Sequence, residues 1–158
     1  IKNRRVVINH DSTVFYFRTF GLLYLQMHLL PTKMFVNLSQ IETYMTISTF
    51  IQKIKSEPND IAFSDTIGII DNYFDFTPTA FHNGELYNEA GQNSGSCKVF
   101  AFAKRVELTV EETLACFGTY YRVDVLQNPE GTDHQNIRNF MKTGWEGIQF
   151  EGTPLRVK

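Results

Sequence analysis

The stretch FTPTAFHNGELYNEAGQNSGSCKVFAFAKRV, residues 76–106, decides the fold class because its hydrophobic spacing changes midway. Asn83-Gly84 is a dipeptide typical of type I′ turns, and it predicts a hairpin that pairs 76–81 with 85–88. Pro78 cannot donate to a strand ladder, so we expect its strand at a sheet edge. The second half of the stretch has helical spacing and predicts a helix capped by Ser94 or Ser96. A hairpin followed by a helix indicates an α+β fold.

Signals for further short helices lie on both sides of this stretch. An amphipathic pattern over 48–56 stops before a proline, and a second helix capped by Ser64 or Asp65 competes with a strand interpretation. Thr109 opens T-x-x-E and Thr132 opens T-x-x-Q, and both patterns are capping boxes. The last helix is expected to bury Ile137, Phe140 and Met141 and to end at Gly144, with Trp145 packed on Phe140. We therefore predict a single compact α+β domain of four or five short helices and one β-hairpin.

Composition excludes several classes of protein. The chain has 158 residues and is 42% hydrophobic, which fits one globular domain with a sizeable core. Two cysteines are too few for a disulfide scaffold or a thiolate-rich zinc site. A net charge of −2 argues against nucleic acid as the main partner. We expect a protein partner or a small ligand, and no cofactor.

Residues 1–44 differ from the remainder in charge and hydropathy. They carry five basic and two acidic residues, whereas the rest carries ten basic and fifteen acidic ones. The apolar run 14–30 is 17 residues long and contains Arg18, so we do not expect it to span a membrane, which takes about 20 mostly apolar residues. Three interpretations stay open: a weak anchor or export segment, an extra helix, or translated upstream sequence. We favour the third, with Met45 as the start, because capping and turn signals begin there.

Cys97 is the first candidate for chemistry. A cap at Ser94 or Ser96 would place it in the first helical turn, where the helix dipole favours a thiolate. A nucleophilic thiol also requires a base and an orienting group. His134 can supply the base, and Asp133 or Asn136 the orienting group. The alternative is a buried, inert thiol, which is also what we expect of the second cysteine, Cys116.

Ligand binding is the second possibility for the polar segments. Asn93 lies in a glycine-containing run before a predicted helix, where backbone N–H groups can bind an anion. Arg138 follows His134 by one turn and can hold an anion or pair with Asp133. Candidate ligand-binding residues are therefore Glu89, Asn93, Arg138 and Tyr121, with Tyr87 and Tyr120 as further members of an aromatic rim.

A metal site is the weakest hypothesis. His134, Asp133, Glu89 and His82 are metal-ligating types, but the chain lacks H-x-x-x-H, H-E-x-x-H and C-x-x-C spacings. We therefore predict no metal ion.

Four long motifs carry a resemblance to a known family. They are TPTAF-x-NGEL, NEAGQN-x-GSCK, LACFG-x-YYR and GTDHQNIRNFM, which begin at residues 77, 88, 114 and 131. From about residue 45 to 151 the chain resembles the HopJ type III effector family of bacteria. The resemblance makes residues 45–158 a HopJ-like domain and 1–44 an extension outside the family.

The resemblance implies a role as a secreted effector, but it does not imply a particular enzymatic reaction. The family is named for proteins that a plant pathogen delivers by type III secretion, and it implies no assigned activity from which catalytic residues could be transferred. Export signals of this kind are flexible and polar, and the aromatic, basic residues 1–44 depart from that pattern. We expect a small binding or effector protein in the cytoplasm, with delivery into a host cell as the alternative location. A thiol-dependent hydrolase or transferase is the alternative function.

Overall fold

The structure is a computed structural model that describes residues 4–7, 14–17 and 45–158. Backbone contacts divide the chain into two units, Ile1–Glu42 and Thr43–Lys158. In the first unit, β1 (Arg4–Val7) and β2 (Val14–Phe17) form an antiparallel hairpin. The apolar run 14–30 thus begins as a strand rather than a helix, and its remainder lies outside the described residues. Of the helices that the structure describes, none is long and apolar enough to cross a membrane.

The second unit has the predicted α+β composition, with five α-helices between residues 45 and 158. The helices are α1 (Ile47–Ser56), α2 (Phe63–Tyr73), α3 (Ser94–Arg105), α4 (Val110–Ala115) and α5 (Gln135–Thr143). The strands are β3 (Phe74–Phe76), β4 (Phe81–Asn83), β5 (Leu86–Asn88), β6 (Ile148–Phe150) and β7 (Leu155–Val157). A π-helix (Tyr120–Val125) and two 3₁₀ turns, Pro58–Asp60 and Gly144–Gly147, complete the unit.

The strands form two small antiparallel sheets, and their order corrects the predicted hairpin. One sheet pairs β3 with β7, and the other has the order β5-β4-β6. The predicted strand 76–81 is divided, because Pro78 lies in the loop between β3 and β4. The prediction of an edge strand is therefore wrong: with the proline outside the ladder, β4 pairs on both sides.

The hairpin turn also differs from its prediction. Asn83 is the last residue of β4 and is fully buried, and the turn itself is Gly84-Glu85. Gly84 has φ +60, whereas Glu85 is not among the described residues with positive φ. A type I′ turn needs positive φ at both central positions, so this turn has the type II′ pattern instead. The Asn83 side chain is thereby available for the interior.

The core is built on α3 and is rich in phenylalanine. Six of the twelve residues of α3 are buried, so this helix is covered on most of its circumference. The fully buried rings are Phe50, Phe81, Phe100, Phe102 and Phe140. Cys116 is buried as expected, and Trp145 makes the predicted contact with Phe140, edge-on at 5.1 Å. Met141 was wrongly predicted to be buried and is 42% exposed.

Some helices have a side-chain cap at their N-terminus, and others do not. The Thr109 box is confirmed: its hydroxyl accepts from the Glu112 N–H, and the Glu112 carboxylate accepts from the Thr109 N–H. The predicted caps at Ser94, Ser96 and Thr132 are wrong. Instead α3 starts after Asn93 and α5 after His134, and neither side chain caps its helix. Asp65 was predicted as a cap, but it is the third residue of α2. Its carboxylate accepts a hydrogen bond from the N–H of Ala62, the residue before the helix.

Candidate functional site

A cavity of about 450 Å³ lies where the starts of α3 and α5 meet. Its wall combines aromatic, aliphatic and neutral polar residues: Phe63, Leu86, Asn93, Gly95, Ser96, Phe117, Tyr120, His134, Gln135, Asn136 and Ile137. The residues that start the two helices both line it, Asn93 at φ 50 and His134 at φ 48. A left-handed conformation costs a non-glycine residue about 1–2 kcal/mol, so the rest of the domain must hold both residues in place.

His134 is held from two sides. Its Nε2 lies 3.2 Å from Asp124 Oδ2 and 3.8 Å from Asp133 Oδ2. Its ring packs on Tyr120 with the centroids 5.1 Å apart, and Tyr120 in turn packs edge-on against Phe63. A carboxylate only accepts hydrogen bonds, so Nε2 carries a hydrogen and donates it to Asp124. The nearby carboxylates therefore fix the orientation of the ring, with its Nε2–H toward Asp124.

Tyr120 and Asp124, which both contact His134, lie on the π-helix. These residues are four apart in a segment with π-helical hydrogen bonding, such as Leu126 N–H to Tyr121 O. The segment follows Gly118, which has φ +60 and lies against the start of α2, where an added Cβ would be 2.6 Å from the Phe63 nitrogen. Only glycine permits this approach, and it brings Phe63 and Tyr120 into one wall. Short π-helical segments occur frequently at functional sites.

Buried carboxamides lie between the hairpin and α5, and one of them, Asn136, lines the cavity. Asn88 and Asn136 bond reciprocally: Asn136 Nδ2 donates to Asn88 Oδ1 at 2.7 Å, and Asn88 Nδ2 donates to Asn136 Oδ1 at 3.2 Å. Asn88 is fully buried and Asn136 is 5% exposed. Paired amides satisfy each other where water is excluded, and an unpaired one would be costly. The pair therefore fixes the start of α5 against β5.

Two further asparagines extend this pair into a network. Asn83 Nδ2 donates to the Asn136 carbonyl at 2.7 Å, and Asn93 Nδ2 donates to Asn88 Oδ1 at 2.8 Å. The second bond explains why Asn93 does not cap α3, since its amide is turned toward β5. The network thus joins three of the motifs, NGEL, NEAGQN and GTDHQN, at one wall of the cavity.

Arg138 has a structural role at this end of α5. Its guanidinium donates to the Asp133 carboxylate at 2.7 Å, to the Asp133 carbonyl at 2.7 Å and to the Pro129 carbonyl at 3.2 Å. The hydrogen bond from Arg138 holds the pKa of Asp133 below its ordinary value of 3.8. Of the two roles predicted for Arg138, the structure contains the pairing with Asp133, while anion binding stays a prediction; the side chain is 8% exposed and supports the loop before His134.

Cys97 does not have the environment that a nucleophile requires. It is 1% exposed, does not line the cavity, and its Sγ lies 3.5 Å from the Thr79 carbonyl. Burial raises its pKa to about 11, and burial raises the pKa of Cys116 to about 12. The predicted low pKa of Cys97 is therefore wrong, because its side chain enters the core whereas its neighbour Ser96 faces the cavity. Both cysteines are free.

The remaining predicted residues lie away from the cavity wall. Glu89 is exposed in the turn after β5, and Tyr121 packs half-buried against the core. His82 packs against Tyr87 across β4 and β5, with their ring centroids 4.8 Å apart. Across the described ranges, no group of three or more His, Cys, Asp or Glu could hold a metal ion.

Sequence reasoning found part of this site and missed the rest. Asn93, His134 and Asn136 were singled out and line the cavity. Asp124 was missed, although its position four residues after a motif tyrosine could have suggested it. Asn83 and Asn88 were assigned to the hairpin alone, and the abundance of asparagine in all three motifs was the available signal.

Comparisons with known proteins agree with the sequence motifs. The family model described as HopJ type III effector protein matches residues 47–155. The crystal structure of an unknown-function protein, VPA0580, is similar to this chain, with 52% sequence identity and a TM-score of 0.72, over 75% of this chain and 98% of that one. No curated protein matches the chain. The matched residues make up most of the chain, which therefore belongs to the HopJ type III effector protein family.

Proposed function

We propose that the protein binds a small, uncharged compound with a ring in the cavity between α3 and α5. The observation that carries this proposal is the wall itself, which contains no Lys, Arg, Asp or Glu. Ligand pockets of about 300–1,000 Å³ with mostly apolar walls and a few polar groups are typical of small-molecule sites. A charged ligand would lose hydration there without gaining an ionic partner.

The two kinds of wall residue suggest how such a compound is oriented. Phe63, Phe117 and Tyr120 present ring surfaces, which favour stacked or edge-on contact with a second ring. Ser96, Gln135 and His134 present polar groups at the helix starts, which can hydrogen-bond one end of the ligand. The buried amide network supports this arrangement because it fixes the polar side of the wall before a ligand arrives.

A matched pair of tyrosines tests the proposal. Tyr120 lines the cavity and is 41% exposed, whereas Tyr87 is 45% exposed and packs against a different histidine, His82. A library of uncharged monocyclic compounds is screened against the full chain by ligand-observed NMR. We expect Tyr120→Ala to weaken binding of the hits about tenfold, since aromatic contacts contribute about 0.5–1.5 kcal/mol beyond area.

The same screen provides the control and the outcomes that would contradict the proposed binding site. Tyr87→Ala should leave the affinities unchanged. If the two variants weaken binding equally, or if the library gives no hits, the cavity is not the binding site and a protein partner becomes the better explanation.

The alternative function, a hydrolase or transferase that uses Cys97, has a direct test. Because burial raises the pKa of Cys97 to about 11, alkylation of the folded chain at pH 8 should be at least 100-fold slower than alkylation of the unfolded chain. Fast alkylation of Cys97 that His134→Ala abolishes would instead support the thiol enzyme.

The place of action stays a prediction with two outcomes. The cytoplasm is the default, and the family description supports delivery into a host cell as the alternative. A translocation reporter fused to the full chain separates them: signal in host cells that requires an intact type III apparatus supports delivery, and its absence supports the cytoplasm.

A further inference from the structure

We propose that the cavity is also catalytic, with His134 as the general base that activates water to hydrolyse an uncharged carboxylic ester. This inference rests on the proposed binding function, because the ester is one chemical class of the compounds expected there. It concerns the same cavity and adds a reaction to it.

The arrangement of His134 is that of an oriented base. The Nε2 hydrogen is engaged by Asp124 at 3.2 Å, so in the neutral form of the imidazole the lone pair is on Nδ1. Within residues 45–158, Nδ1 has no hydrogen-bond partner, although the ring lines the cavity. A nearby carboxylate also stabilises the imidazolium that forms when the ring accepts a proton.

A purely structural role explains His134 poorly. At the residue that starts a helix, Ser, Thr, Asp or Asn would accept a hydrogen bond from the helix, whereas His134 makes no capping bond. It also has φ 48, which glycine adopts without cost. The side chain is instead committed to Asp124, Tyr120 and the cavity. A strained residue whose side chain serves a cavity is a recognised feature of active sites.

The cavity also presents donors for the charge that ester hydrolysis develops. Gly95 and Ser96 at the start of α3, and Gln135 and Asn136 at the start of α5, line the cavity. Their backbone N–H groups have no hydrogen-bond partner within the described part of the chain. Such groups stabilise the oxyanion of a tetrahedral intermediate. They accompany the base here and are not the basis of the proposal.

The reaction balances with water and the ester alone. The water oxygen bonds to the acyl carbon while its proton passes to His134 Nδ1. The bond from the acyl carbon to the leaving oxygen then breaks, and that oxygen takes the proton from the imidazolium. The products are a carboxylic acid and an alcohol, and the histidine returns to its neutral form. Asp124 keeps its charge throughout.

The test uses the full chain and the p-nitrophenyl esters of acetate, butyrate and benzoate. His134→Gly suits the left-handed backbone and leaves room for an added imidazole. We expect saturable hydrolysis by the parent chain, a fall in kcat/KM of about 100-fold in His134→Gly, and partial recovery with added imidazole. The matched control is His82→Gly, an exposed histidine on β4, which should retain the parent kcat/KM.

Each other outcome contradicts the inference. Loss of activity that imidazole does not restore assigns His134 a structural role, and equal loss in His82→Gly assigns the hydrolysis to nonspecific surface histidines. A burst of one equivalent of p-nitrophenol that disappears in Ser96→Ala replaces water by a serine nucleophile. Ligands that bind the cavity while no ester is turned over overturn the catalytic inference alone; absence of both binding and turnover overturns the proposed function too.

Discussion

Two histidine–tyrosine pairs in this domain have similar side-chain geometry and different surroundings. The His82 and Tyr87 rings pack at a tilt with their centroids 4.8 Å apart, and the His134 and Tyr120 rings do so at 5.1 Å. Both tyrosines are exposed to a similar degree, 45% and 41%. Ring contact alone therefore does not distinguish the two pairs.

The two pairs differ in the conformation of the backbone that carries them. His82 and Tyr87 are opposite each other on regular antiparallel strands, a cross-strand contact worth about 0.2–1 kcal/mol. His134 instead has a left-handed conformation, and Tyr120 lies on a π-helix together with the carboxylate that binds His134. Of the two pairs, only the second retains unfavourable backbone geometry, and for this reason we propose it as the functional one.

The largest expected effect on stability is at Gly118, which precedes the π-helix beneath the His134–Tyr120 pair. In Gly118→Ala the new Cβ would lie 2.6 Å from the Phe63 nitrogen at φ +60, so the backbone must move. We expect a loss of about 3–4 kcal/mol in the free energy of unfolding, measured by urea denaturation. Gly91→Ala is the control, because Gly91 has φ +91 but open space, and strain alone costs about 1–2 kcal/mol. Equal losses in the two variants would show that the contact with α2 is unimportant.

The next largest expected effect on stability distinguishes two neighbouring residues of β5, Asn88 and Tyr87. Asn88 faces inward and bonds Asn136 and Asn93, whereas Tyr87 faces outward. Asn88→Ala leaves buried amides without partners, and we expect it to cost about 2–3 kcal/mol of stability. Tyr87→Ala should cost about 0.5 kcal/mol, as a surface substitution does. If thermal and urea unfolding rank these variants in the opposite order, the amide network does not hold the cavity wall.

These contrasts also show what the sequence could predict. The α+β class and the Thr109–Glu112 cap follow from local spacing, which acts within a few residues. The hairpin turn was placed wrongly because the Asn83 amide bonds the Asn136 carbonyl, 53 residues away in the chain. That tertiary bond outweighs the local preference of Asn-Gly for a type I′ turn.

Within the site, residue types were predicted better than their geometry. His134 and Asn136 stood out through their motif, yet nothing local pairs His134 with Asp124, because the two residues lie on different segments and meet only in the tertiary fold. Cys97 was wrongly predicted to have a low pKa because a cap at Ser94 or Ser96 would have placed it at the start of the helix. Consecutive helical residues point about 100° apart, and the true start at Asn93 turns the thiol into the core.

The smallest expected effect is a dependence of stability on pH at Asp133. Its hydrogen bond from Arg138 holds its folded pKa below the ordinary value of 3.8. The stabilisation is therefore complete above that value and is lost as the pH falls through the lower folded pKa. We expect parent and Asp133→Asn chains to differ in stability near neutral pH and to converge under acid. In Asp60→Asn, where the structure records no side-chain partner, the gap should be negligible throughout; a gap for Asp133→Asn that persists in acid would contradict the assignment.

The most direct test of the cavity as the binding site is amide chemical-shift mapping on the ¹⁵N-labelled full chain with pools of uncharged monocyclic compounds. The structure predicts that binding pools shift the amides of Gly95, Ser96, Gln135 and Asn136. The amides of His82 and Tyr87 should stay in place. Shifts confined to the His82–Tyr87 pair, or no shifts at the two helix starts with any pool, would contradict the account.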